Sequence, residues 1–168
     1  MNTILNKKSI NTITGVFSTI QDADNAYHAL LEFGYKPYEI TLIMSEETHQ
    51  KLFTQHDIDF YLNSNSFREN GREPEVSSIS DALDVFGRFV AIPGLSLVVA
   101  GNFTDGGFRA LSGSVMSDEY AAYFQSRIKE GEILIDFNLH TVSERNYIIN
   151  LWEYYGGFPL VRKISHAA

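Results

Sequence analysis

The sequence contains no cysteine, which excludes disulfides, thiolate nucleophiles and cysteine-ligated zinc. Basic residues are scarce: 13 Lys and Arg stand against 21 Asp and Glu, a formal net charge of −8. That field repels phosphate backbones and anionic lipid, and Asn6-Lys7-Lys8 is too short a basic cluster to offset it. No nucleic acid or membrane partner is therefore expected. The longest apolar stretch, Phe89–Ala100, is broken by Pro93-Gly94 and is too short to span a bilayer. No apolar run near the start reads as a secretory signal, so a cytoplasmic location is expected.

What is present is an ordinary globular composition. Apolar residues make up 44% of the 168, enough to bury a core, and the length suits a single domain. The clearest structural grammar lies in Met116–Leu139. There Ser117 or Asp118 can cap a helix with Tyr120, Phe124 and Ile128 on one stripe. Gly131 stops that helix. An alternating strand follows, with Ile133, Ile135, Phe137 and Leu139 facing one way and Leu134, Asp136 and Asn138 the other.

Upstream, Thr12–Ser18 reads as a strand, and Asp22 can cap a helix striped by Ala23, Ala26, Tyr27 and Leu30. Gly34 and Pro37 separate that helix from a second strand, Glu39–Met44. The two strands should run parallel. Ser45-Glu46-Glu47 can start a short helix through Phe53, and Leu62–Ser77 reads as an exposed loop. Ser80 can cap a further helix with Leu83, Phe86 and Val90 on one side, ended by Pro93-Gly94. Leu95–Phe103 is an apolar run whose period fits a strand or a buried helix, and its length and flanking glycines favour strand. After Leu139, Ser143 can cap a helix bearing Ile148, Leu151, Trp152 and Tyr155, and Leu160–Ile164 forms a last strand suited to a sheet edge.

Val16–Ile43 and Ile135–Ile164 echo one another as strand, amphipathic helix, glycine, proline and strand. Two such halves form a ferredoxin-like βαββαβ sandwich of α+β class. The expected organisation is a polar lead-in over 1–11, a first half over 12–44, a long insertion over 45–132 and a second half over 133–165. The insertion carries extra helices and one strand. Two helices would cover one sheet face, leaving the other to the insertion or to a second copy.

Three stretches together resemble a family of bacterial general-stress or heat-induced proteins. They are GVFSTIQDADNAYHALLEFGYKPYEITLIMSEETHQKLF (Gly15–Phe53), IPGLSLVVAGNF (Ile92–Phe103) and VMSDEYAAYFQSRIKEGEILIDF (Val115–Phe137). The chain departs from that family in Val76–Ala91. Relatives carry alternating Gly/Ala there, whereas Gly87 is the one glycine here. The family has no assigned biochemical function, so the resemblance implies a stress-associated protein and carries over no catalytic residue; together with the lack of a catalytic constellation it favours a non-enzymatic role.

Candidate chemistry is sparse, and no cofactor is expected. His49 and His56, seven residues apart beside Glu46, Glu47, Asp57 and Asp59, are the densest set of possible metal ligands. They lack HExxH-type spacing, and a solvated acidic patch is the plainer reading. Gly106, Gly107 and Gly113 could cradle a small ligand, although they match no phosphate-loop pattern and turns explain them as well. Asp136 could serve as a base only within a pocket and otherwise reads as a solvated carboxylate. Tyr120, Tyr123 and Phe124 are interface candidates, with core packing the alternative at helical spacing. The function these features favour is self-association or partner binding as a homo-oligomer. The alternative is a small-molecule sensor using the 101–113 glycines or a dimer interface.

Overall fold

The computed structural model describes residues 11–52, 76–101 and 120–163. They form a six-stranded antiparallel sheet with five α-helices. In chain order the elements are β1 (Asn11–Phe17), α1 (Ile20–Glu32), β2 (Ile40–Ser45), α2 (helical residues 46–52), α3 (Ile79–Phe86) and β3 (Gly87–Ile92). They continue with β4 (Leu95–Ala100), α4 (Ala121–Lys129), β5 (Ile133–Asn138), α5 (Arg145–Tyr154) and β6 (Phe158–Lys163). The strand order is β3-β4-β2-β5-β1-β6.

The four strands β2-β5-β1-β6 with α1 and α5 reproduce the ferredoxin-like order, so the two-half reading holds. β1 and β2 run in the same direction but do not touch, because β5 pairs antiparallel with both. The described residues between the halves hold two strands where one was expected. β4 pairs with the free side of β2, and β3 pairs with β4 through a two-residue turn at Pro93-Gly94, where Gly94 has φ of 80°.

The helix expected up to Pro93 ends at Phe86. Gly87 is the reason. Its extended backbone turns the chain from helix directly into strand, and a Cβ there would lie 2.2 Å from the Leu83 carbonyl oxygen. Beyond it, Arg88-Phe89-Val90-Ala91-Ile92 finds a β partner whose register the turn fixes.

Several caps lie earlier than their expected positions. Thr19, not Asp22, caps α1 by accepting from the Asp22 amide, and Ser78, not Ser80, caps α3 by accepting from the Asp81 amide. In both cases the aspartate sits in the first turn, where it complements the positive helix end. Ser143 does not cap α5. It falls in a 3-10 turn, Val142–Glu144, that leads into the helix.

One sheet face carries Ile13, Phe17, Leu42, Met44, Val98, Ile133, Ile135 and Phe137 beneath α1, α3 and α5. Trp152 of α5 sits over Gly15 of β1, and a Cβ there would approach the indole to 2.5 Å. Phe17 and Phe137 meet the same ring edge-on. The opposite face carries a smaller cluster of Val16, Ile43, Leu97, Val99 and Leu134. Phe124 and Ile128 of α4 cover it. The helix preceding β5 thus supplies the second layer of the sandwich.

Candidate functional site

Three places gather chemistry. The first is where the α1–β2 and β5–α5 connections meet. Gly34, at φ of 101°, ends α1 and directs Tyr35 inward, where it is buried against Phe137. The Tyr35 hydroxyl donates to Glu144 Oε2 at 2.7 Å and accepts from the His140 amide at 3.0 Å. The His140 ring lies flat on the Tyr35 ring, and its Nε2 reaches Glu39 Oε1 at 2.7 Å. Burial and the hydrogen bond to Glu144 push the Tyr35 phenol far above its ordinary range, so it stays a donor. Burial would raise Glu39. The His140 contact and the Lys36 amide outweigh that effect and hold its carboxyl below the usual range. The arrangement is a tie between two connections, with every polar atom named here engaged.

The second place is a polar row on the α4 side of the sheet. Asp136 in β5 stands opposite Thr14 of β1 and Thr41 of β2, and Thr14 donates its hydroxyl proton to the carboxylate. Next to it, Thr12 donates to Asn138 Oδ1 at 2.6 Å. Asp136 is only 7% exposed, so the solvated-carboxylate reading is corrected. The sequence places it opposite the apolar set of β5 but cannot show that two flanking threonines help bury it. Gly101, the residue after β4, packs against this row, since a Cβ there would meet Thr41 Oγ1 at 3.1 Å.

The third place is the β3 side of the sheet. His49 of α2 is half-buried and meets Phe89 of β3 edge-on at 5.9 Å. Burial lowers the His49 pKa, while Asp84 and Glu46 act against it. No group of three or more metal-ligating side chains occurs among the described residues. His56, Gly106, Gly107 and Gly113 lie outside the described residues, as do residues 62–75 of the expected loop and the helix caps Ser117 and Asp118.

Of the aromatic interface candidates, Phe124 is wholly buried within the chain and Tyr120 packs half-buried on the same cluster. Tyr123 is the exposed one, its ring 5.4 Å from that of Phe124. Sequence reasoning did not single out Phe89, which is 70% exposed. The signal was its position four residues before Pro93-Gly94, legible once that pair is read as a hairpin turn. Among the described residues, no helix is long and apolar enough to cross a membrane. Comparison with family models finds no match, and comparison with curated proteins and with solved structures finds none either.

Proposed function

We propose that this is a non-enzymatic, stress-associated cytosolic protein that acts by self-association. The observation that carries this reading is the contrast between the two outer strands of the described sheet. β6 holds Pro159, which removes an amide donor and discourages edge pairing. Both strands display a phenylalanine to solvent, Phe89 on β3 and Phe158 on β6, but β3 has no proline. A sheet edge of this kind is a template for another chain. The resemblance to bacterial general-stress proteins agrees with it. Sedimentation velocity of the full chain over a wide concentration range tests the reading. A concentration-dependent shift to a larger species is expected, and a single monomeric species throughout contradicts it.

A second reading, a small-molecule sensor, draws on the buried Thr14–Asp136–Thr41 row and its contact with Gly101. A buried carboxylate beside the start of a glycine-rich segment is a fitting place to recognise a polar metabolite. Thermal-shift screening of nucleotides and metabolites checks it. A stabilising compound whose effect disappears in Asp136→Asn supports this reading, and a screen without any stabilising compound counts against it.

A further inference from the structure

We infer that β3 pairs antiparallel with β3 of a second copy, about a two-fold axis at Phe89, joining two sheets edge to edge. The inference rests on the self-association reading and adds its register.

The hairpin fixes which backbone groups of β3 face outward. Ile92 and Leu95 flank the two-residue turn and are paired, as are Val90 with Leu97 and Arg88 with Val99. In an antiparallel ladder, pairs that exchange hydrogen bonds alternate with pairs that do not. The closing pair of such a hairpin exchanges bonds, so Ile92, Val90 and Arg88 direct their amides and carbonyls to β4. Ala91, Phe89 and Gly87 then point theirs away from β4. The Gly87 amide already donates to the Leu83 carbonyl, which leaves only its carbonyl for a new partner.

Those outward groups are self-complementary. With Phe89 opposite its own copy, the two residues exchange both amide-to-carbonyl bonds, and each Ala91 amide meets the partner's free Gly87 carbonyl. The occupied Gly87 amide faces no demand in this register beyond the Ala91 carbonyl, which stays open to water. None of the three outward residues is charged, all three are exposed, and two of them are too small to obstruct an approaching strand. The side chains of Phe89 would meet across the axis. A two-fold contact requires one surface to match itself; an axis at Val90, pairing Phe89 with Ala91, would make as many backbone bonds, and the axis at Phe89 is the one that also brings the two aromatic rings together. A peptide from another protein would meet the same backbone groups but not the Phe89 pairing.

The absence of native cysteine makes the test clean. In a full-length Phe89→Cys variant the two thiols face each other across the axis as a hydrogen-bonded pair, with Cα atoms about 5.5 Å apart, and a short bifunctional thiol reagent is expected to yield a covalent dimer. Ala91→Cys places the sulfurs on opposite sides of the axis and should yield none. Independently, Ala91→Pro removes only an outward amide and Phe89→Lys sets like charges face to face, so each should weaken association about tenfold or more. Circular dichroism and melting at dilute concentration confirm that each variant folds. If the wild type associates but Phe89→Cys fails to cross-link and neither substitution weakens association, the β3 assignment is overturned while self-association stands. A wild type that is monomeric at every concentration overturns both.

Discussion

The imidazole of His140 lies on the ring of Tyr35 with centroids 4.0 Å apart and planes 16° from parallel. The same tyrosine's hydroxyl is bonded on both sides, to the His140 amide and to Glu144. Tyr35 therefore fastens the chain after α1 to the chain after β5. Tyr35→Phe keeps the stack and deletes both bonds, leaving the His140 amide and Glu144 without their partner. A loss of about 1–3 kcal/mol in urea unfolding is expected. An unchanged midpoint would show that water replaces the hydroxyl at no cost.

The Glu39 carboxyl makes this junction sensitive to acid. Burial raises its pKa, but the His140 contact and the Lys36 amide prevail and hold it below the ordinary range. A carboxylate depressed in the folded state contributes stability that is present above its unfolded value, roughly 4.3. That contribution is lost as pH falls through the lower folded value. Glu39→Gln should therefore be less stable than wild type at neutral pH, with the gap closing as pH falls below about 4. Denaturant titrations at pH 7 and pH 3 measure both gaps. A gap that stays constant or widens on acidification contradicts the assignment.

α4 acts as the cover of the second sheet face. Phe124 is fully buried over Ile43, Leu97 and Leu134, so Phe124→Ala should cost roughly 3–5 kcal/mol. Its exposed neighbour Tyr123 should lose well under half of that on truncation to alanine. Thermal melts of the two variants compare them directly, and similar losses would mean that α4 is not seated on the sheet through Phe124.

A buried hydroxyl without a partner costs stability, and that of Tyr27, on the core side of α1, has none among the described residues. Burial raises its phenol pKa far above the usual range, with Asp81 and Asp24 adding to the effect, so it remains neutral. Tyr27→Phe keeps the ring and removes the orphan group. The expected result is a melting temperature equal to or above that of wild type. A clear drop would reveal a hydrogen bond at that hydroxyl.

The parts of the fold that the sequence displays are those with long-period patterns. The stripe of Ala23, Ala26, Tyr27 and Leu30, the alternation over Ile133–Leu139 and the glycine stops at Gly34 and Gly131 give α1, β5 and their ends. β3 was hidden because Leu83, Phe86 and Val90 keep a helical spacing across Gly87. Only the clash of a Cβ with the Leu83 carbonyl shows why the helix stops there. The polar row at Asp136 needed three strands that are distant in sequence, and the Tyr35–His140 junction joins residues 105 apart. No local pattern records such pairings. The resemblance to stress proteins lay in the order of short motifs, which carries no geometry.

The most direct measurement of the central claim is amide hydrogen exchange across β3 at low and high protein concentration. The amides of Val90 and Ile92, directed to β4, should be protected at both. Those of Phe89 and Ala91 should exchange freely when dilute and become protected as concentration rises. Phe89 and Ala91 amides that exchange equally fast at every concentration, while the protein sediments as a dimer, would contradict pairing through this edge.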